Sequence, residues 1–173
     1  KAGESQIKGL VFSGNEGTGK SLALWAIARA AVKKWLTENP QPERNGNPTN
    51  GMPRVPIRCE FFPNWLQYEF YPAPDGSRSW NFATIPQIIE AKAIFFDEVT
   101  FDPNHESYRP VKEFWELLIQ NLSLLDNPPP LFVSTNNSSA EWERAIGSHL
   151  VDRIGGEKEG LCQIINCDWK SYR

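Results

Sequence analysis

At residues 14–21 the sequence reads Gly14-Asn15-Glu16-Gly17-Thr18-Gly19-Lys20-Ser21. This is the complete pattern G-x-x-x-x-G-K-S/T of a P-loop, a turn whose backbone N–H groups converge on phosphate oxygens. The apolar run at residues 9–13 predicts a buried strand, and the apolar spacing of residues 21–38 predicts a helix. Because strand, glycine turn and helix follow in the order that phosphate binding requires, we expect all eight residues of the turn to bind a nucleotide.

The parts of this turn have separate expected tasks toward ATP and Mg²⁺. The glycines let the backbone approach the phosphates closely, and the helix beginning near Lys20 adds the positive end of its dipole. Lys20 is predicted to contact the β- and γ-phosphates, and the Ser21 hydroxyl to ligate Mg²⁺. The alternative is a glycine-rich turn without a ligand, which the complete match to the pattern disfavours.

Two acidic residues, Asp97 and Glu98, follow the apolar run at residues 93–96, which predicts a buried parallel strand. Asp97 is predicted to hold Mg²⁺ through water, and Glu98 to orient and deprotonate the attacking water. A solvated strand end would show the same two acids, but a P-loop upstream favours the catalytic interpretation. The sequence has neither the N-K-x-D motif of GTPases nor the arginine-rich lid of small-molecule kinases, so ATP hydrolysis is preferred.

A third polar group, Ser134-Thr135-Asn136, ends the strand predicted at residues 131–136. A side chain there lies beside the acidic strand and can reach both the γ-phosphate and the attacking water. Asn136 is predicted to do so. The alternative is that Asn136 caps the following helix, since Asn is a favoured N-cap residue. The two tasks can also be divided between Asn136 and Asn137.

The rest of the pattern predicts an α/β fold with a parallel, doubly wound sheet, because strands alternate with helices. At 173 residues the chain corresponds to a single domain, residues 1–173, and its start at Lys1 indicates a fragment of a longer chain. Further strands are expected at 57–62 and 161–167, helices around 87–90 and at 108–126 and 140–154, a short helix from Asn64, and loops at 40–54 and 72–80.

The net charge of −3 argues against a protein-wide basic field, so contact with DNA has to come from local patches. Arg29, Lys33 and Lys34 form one candidate patch, for which a solvated helix face is the favoured alternative. No apolar run approaches the roughly 20 residues of a membrane span, and no signal peptide is recognised, so neither membrane contact nor secretion is expected.

Three cysteines, Cys59, Cys162 and Cys167, form no C-x-x-C pair. Cys162 and Cys167 are five residues apart in a predicted strand, so their side chains are expected on opposite faces, where they could not easily share a disulfide or a metal. Reduced thiols of this kind predict a cytoplasmic location.

With these pieces placed, the chain resembles the AAA+ superfamily, and more narrowly the DnaC-type replicative helicase loaders and the related IstB-type transposition ATPases. The narrowing rests on Thr135-Asn136, Trp142, the segment Ser148-His149-Leu150-Val151-Asp152-Arg153-Ile154 and the closing Ser171-Tyr172-Arg173. The resemblance implies a P-loop NTPase fold of the AAA+ type, a three-layer sandwich with a five-stranded parallel sheet, here without a helical lid after Arg173. Residues 40–80 depart from the family's pattern.

The resemblance also implies roles for two arginines. Arg153 corresponds to the arginine finger, which reaches the ATP of a neighbouring subunit and stabilises charge on the transferring phosphoryl group. Arg173 corresponds to the second sensor, which contacts nucleotide in its own subunit. The local alternatives are a cation near a helix C-terminus for Arg153 and a frayed terminal residue for Arg173.

The function implied by this resemblance is that of an ATPase acting in DNA replication as a helicase loader. It would assemble with itself into a ring, spiral or filament, with a hexameric helicase as partner and single-stranded DNA as a possible ligand. Two alternatives remain open: a transposition helper ATPase, whose partner is a transposase, and an ATP-dependent scaffold with little turnover. The N-terminal partner-binding module of these families is expected to lie outside this chain.

Overall fold

The computed structural model describes residues 9–39, 56–61, 70–72, 78–80, 85–105, 108–156 and 160–168. The expected loop at 40–54, the short helix from Asn64 and Arg173 lie outside these residues. The strands are β1 (Gly9–Ser13), β2 (Ile57–Phe61), β3 (Phe70–Pro72), β4 (Arg78–Trp80), β5 (Ala93–Val99), β6 (Leu131–Thr135) and β7 (Cys162–Asn166). The helices are α1 (Lys20–Glu38), α2 (Ile85–Ile89), α3 (Tyr108–Ser123), α4 (Ser139–Ile146) and α5 (Ser148–Gly155).

The main sheet has five parallel strands in the order β2-β5-β6-β1-β7. Strand β6 therefore lies between β1, which leads into the P-loop, and β5, which carries the acidic pair. Parallel strands present their carboxyl ends at one edge of the sheet, and ligands of such sheets bind in the crevice outside that edge. The topology thus brings the three predicted parts of the site to adjacent strand ends.

Helices cover both faces of this sheet. On one face, Leu24 and Ala28 of α1 pack with Phe95, Phe132 and Cys167, and the rings of Phe95 and Phe132 stack with centroids 4.6 Å apart. Helices α2 to α5 contribute to a larger buried cluster on the opposite face. The predicted three-layer α/β sandwich with a five-stranded parallel sheet is confirmed.

The larger cluster centres on aromatic rings in edge-to-face contact. Trp115 of α3 contacts Phe96 at a centroid distance of 5.6 Å and Trp142 of α4 at 5.2 Å, and Trp142 contacts Phe101 at 4.8 Å. Each such pair contributes about 1 kcal/mol beyond its buried area. These contacts hold the segment after β5 against α4, so the strand end that carries Asp97 has firm support.

Three predicted elements differ from those observed. Within the expected loop at 72–80, Pro72 is the last residue of β3 and residues 78–80 form β4, and the two strands pair in antiparallel fashion with Phe70 opposite Trp80. The expected helix at 140–154 divides at Gly147, whose φ of 88° cannot continue a helix and is readily adopted only by glycine. Helix α3 ends at Ser123, three residues before the predicted end.

The expectation for Cys162 and Cys167 is confirmed. Cys162 belongs to the larger buried cluster and Cys167 to the cluster beneath α1, so the two side chains lie on opposite faces of the sheet. Burial raises the pKa of the Cys162 thiol to about 12, which keeps it protonated at neutral pH. No helix among the described residues is both long enough and apolar enough to cross a membrane.

Candidate functional site

The P-loop follows β1 directly and ends where α1 begins. Gly14, Gly17 and Gly19 have φ values of 148°, 75° and 82°, in the region that favours glycine. A Cβ on Gly14 would lie 2.6 Å from the carbonyl oxygen of Cys167, so this position also requires close backbone approach. Gly19 offers no side-chain cap to α1, and the first turn of α1 contains no acidic residue. The first N–H groups of the helix therefore suit an anion.

The ammonium group of Lys20 lies in the centre of this turn. Its Nζ donates to the carbonyl oxygens of Gly14 at 2.7 Å and Asn15 at 2.5 Å, and the Thr18 hydroxyl donates to the same Asn15 oxygen at 2.9 Å. Burial lowers the pKa of Lys20, although the nearby Glu98 and the other acidic groups around it oppose that shift. A buried cation beside the uncapped first N–H groups of α1 matches the charge of a triphosphate.

The two acidic residues at the end of β5 lie within a β-bulge. Phe96 pairs with Val133 and Val99 pairs with Thr135. Between these two pairs β5 therefore has one residue more than β6. Glu98 lies within the bulge with φ of 58°, a left-handed value that costs a non-glycine residue about 1 kcal/mol or more. In a regular strand the side chains of adjacent residues point to opposite faces of the sheet. The bulge changes the direction of the Glu98 side chain, which lines the cleft.

Asp97 is 3% exposed, and its carboxylate accepts hydrogen bonds from two elements. The indole Nε1–H of Trp25, on α1, donates to Oδ2 at 2.7 Å. The hydroxyl of Ser134, on β6, donates to Oδ1 and accepts the backbone N–H of Glu98 at 3.0 Å. Sequence reasoning did not assign roles to Trp25 and Ser134, because their contacts join residues 72 and 37 positions apart.

The structure separates the tasks of Asn136 and Asn137. Asn136 is exposed and lines the cleft, and it does not cap the next helix. The cap of α4 is Ser138, which forms a capping box with Glu141, so the capping alternative for Asn136 is wrong. Asn137 is buried, and its amide bonds both backbone groups of Phe101.

These side chains surround a cleft of about 380 Å³. It unites most of the P-loop with Glu98 and Asn136, as the sequence predicted. Gly14, Asn15 and Asp97 are not among its lining residues, because the two loop residues lie at the start of the turn and Asp97 is buried beside Ser134. The lining residues are Glu16, Gly17, Thr18, Gly19, Lys20, Ser21, Leu22, Glu98, Ser134 and Asn136.

The oxygen donors of the site fit Mg²⁺ bound together with phosphate. The described residues contain no group of three His, Cys, Asp or Glu side chains able to enclose a metal ion by themselves. Mg²⁺ characteristically keeps several waters and uses one or two protein oxygens plus substrate phosphates. The Ser21 hydroxyl lines the cleft, and the Asp97 carboxylate retains lone pairs beyond the two bonds it accepts.

Arg153 lies away from this cleft. It occupies the last turn of α5 with an exposed side chain, and it is not one of the residues lining the cleft. A basic residue there also suits the negative end of the helix dipole, which is the local alternative for its presence.

The chain is a P-loop domain with the AAA+ type of fold. Three features define it: the strand order, the P-loop after β1, and the acidic pair on β5, which β6 separates from β1. Comparison with solved structures gives the same result. The DnaC helicase loader matches with a TM-score of 0.59 and 16% identity over 91% of this chain and 78% of the loader. The AMPPCP-bound structure of DnaA from Aquifex aeolicus matches with a TM-score of 0.58 and 14% identity over 93% of this chain and 41% of DnaA.

No protein-family model matches the sequence, and no curated protein shows a significant match. At the identities found, the likeness to DnaC and DnaA concerns the fold, and at that level it confirms the predicted resemblance.

Proposed function

We propose that this chain is an ATPase domain that binds ATP and Mg²⁺ in the cleft and hydrolyses the γ-phosphate. The observation that carries the proposal is the placement of Glu98: a strained bulge directs this carboxylate into a cleft that it shares with Lys20 and Asn136. Backbone strain of this kind clusters at functional sites, and a strand end without a functional role would be expected to lack it. The AMPPCP found on DnaA, an ATP analogue, supports the choice of nucleotide.

The residues of the cleft divide the reaction among them. Lys20 and the P-loop N–H groups neutralise and orient the phosphates. Ser21, and Asp97 through water, would hold Mg²⁺, which would supply further positive charge to the phosphates when bound. Glu98 takes a proton from the attacking water as the water oxygen bonds to the γ-phosphorus. The bond between the γ-phosphorus and the leaving oxygen of ADP breaks at the same time, which releases ADP and phosphate. Asn136 orients that water.

We further propose that Arg153 completes the site of a neighbouring subunit. Its exposed position outside the cleft of its own chain supports action on the nucleotide of another chain. Arg173 stays a proposed sensor on the resemblance alone. Self-assembly follows from this proposal, because an isolated subunit would lack one charge that stabilises the transition state.

The biological role that we propose is helicase loading in DNA replication, with the hexameric helicase as partner. The structural likeness to the DnaC loader favours it. A transposition helper would share the same fold and differ in copurifying with a transposase. A scaffold with little turnover would bind ATP without releasing phosphate, although the position of Glu98 argues for turnover.

The first test is steady-state phosphate release measured against protein concentration, with and without single-stranded DNA. We expect specific activity to rise with concentration, because Arg153 acts between subunits, and to rise further if DNA promotes assembly. Lys20→Ala and Glu98→Gln serve as inactive controls. A wild-type protein that binds ATP but releases no phosphate at any concentration would contradict the proposal and support the scaffold.

A further inference from the structure

Both oxygens of the Asp97 carboxylate are held by donors from different layers of the fold. Trp25 belongs to the helix that carries Lys20 and Ser21, and its Nε1–H donates to Oδ2 at 2.7 Å. Ser134 belongs to the neighbouring strand, and its hydroxyl donates to Oδ1. Asp97 and Ser134 are 3% and 1% exposed, so little water competes for these bonds. Bonds to a buried carboxylate are stronger than those between neutral groups.

Ser134 also holds the residue next to Asp97. Its hydroxyl has one proton, which goes to Asp97, and a lone pair of the same oxygen accepts the backbone N–H of Glu98 at 3.0 Å. This second bond falls within the bulge, where β5 and β6 lose their regular register. A single hydroxyl therefore fixes the carboxylate of one acid and the backbone of the other.

Trp25 links this pair to the P-loop. Trp25 lies five positions after Lys20 on α1, so the indole bond ties the phosphate-binding helix to the end of β5. Indole N–H is a donor only, which suits a carboxylate oxygen as its acceptor. Trp25 is 39% exposed, and its indole donates to an acid that is 3% exposed.

We propose that Trp25 and Ser134 are positioning residues for ATP hydrolysis. Acting through Asp97 and Glu98, they set the distance between the P-loop and the two acids, so that Mg²⁺ and the attacking water meet the γ-phosphate in register. This inference rests on the proposed ATPase function and extends it to two side chains that act through Asp97 and Glu98.

The test compares Trp25→Phe and Ser134→Ala with two matched variants. Trp35→Phe removes an indole from the same helix, about 15 Å further along its axis, and Ser134→Thr keeps the hydroxyl. We expect kcat to fall about tenfold in Trp25→Phe and in Ser134→Ala, the size typical of losing a bond to a charged group. More Mg²⁺ should be needed for half-maximal rate, while nucleotide affinity in EDTA stays within about twofold of wild type.

A second readout does not depend on turnover. The protein has seven tryptophans, and the indole N–H resonance of Trp25 is identified by its loss in Trp25→Phe. We expect this resonance to move in Asp97→Asn, because the charged acceptor is replaced, and to move again when Mg²⁺ joins bound ATP. The Trp35 resonance should move in neither case.

The outcomes separate the inference from the function on which it rests. If wild type hydrolyses ATP and Trp25→Phe matches Trp35→Phe in both rate and Mg²⁺ requirement, the positioning role is wrong and the ATPase stands. A Trp25 resonance unmoved by Asp97→Asn would also overturn it. If wild type hydrolyses no ATP, the function and the inference fall together.

Discussion

The side-chain amide of Asn137 bonds both backbone groups of Phe101, accepting its N–H at 2.6 Å and donating to its carbonyl oxygen at 3.3 Å. The Ser13 hydroxyl in turn donates to the carbonyl of Asn137 at 2.8 Å. Asn137 thereby joins the ends of three strands, β1, β5 and β6. Asn136 beside it faces the cleft, so two adjacent asparagines have opposite tasks.

This contrast predicts a reciprocal pattern for two alanine variants. Asn137→Ala should lower the free energy of unfolding by about 2–3 kcal/mol, because the buried backbone groups of Phe101 lose their partners. Asn136→Ala should leave stability within about 0.5 kcal/mol, as is usual for an exposed site, yet reduce ATP hydrolysis. Urea denaturation and phosphate release on both variants measure the two effects. Equal loss of stability in both would contradict the division of tasks.

Replacing Lys20 by alanine should abolish nucleotide binding, because Lys20 supplies the buried cation at the centre of the P-loop. Lys33→Ala is the matched control, since Lys33 is exposed on the same helix. Isothermal titration with ATP and Mg²⁺ distinguishes them. Retained affinity in Lys20→Ala would show that the phosphates bind elsewhere.

The strained backbone of Glu98 predicts that replacing it by glycine raises stability while abolishing activity. Glu98→Gln should keep ATP binding and stop hydrolysis, which would trap the assembly in its ATP form. Glu98→Gly should also be inactive but more stable than Glu98→Gln by roughly 0.5–1 kcal/mol, because glycine adopts a φ of 58° without the steric cost. Thermal unfolding without nucleotide provides the comparison. A destabilised glycine variant would mean that the bulge carries no strain.

Mixing two inactive variants tests Arg153. Arg153→Ala should bind ATP normally and lose hydrolysis about a thousandfold, the range of arginine fingers. Glu98→Gln subunits keep Arg153 but cannot hydrolyse. Mixed assemblies should regain activity where an intact site of one variant meets the arginine of the other. Full activity of Arg153→Ala alone, or no recovery on mixing, would refute the assignment.

The local parts of the fold and site were accessible to sequence reasoning, whereas the long-range parts were not. The β1–turn–α1 unit depends on glycines and apolar spacing within 30 residues, and the acidic pair follows a readable apolar run. The bulge at Glu98 leaves no mark in that run, because the sequence of a regular strand would look the same. The bonds of Trp25 and Asn137 join distant segments, so no local pattern encodes them. The break at Gly147 did have a signal, a glycine inside the predicted helix.

The place of β6 in the sheet has a consequence for what can fit between the reacting groups. With one strand between them, the ends of β1 and β5 are separated by about 10 Å, twice the spacing of neighbouring strands. Direct neighbours would leave about 5 Å between the two strand ends. Under the proposed ATPase function, the wider gap leaves room for a water molecule between a phosphate bound after β1 and the Glu98 carboxylate on β5.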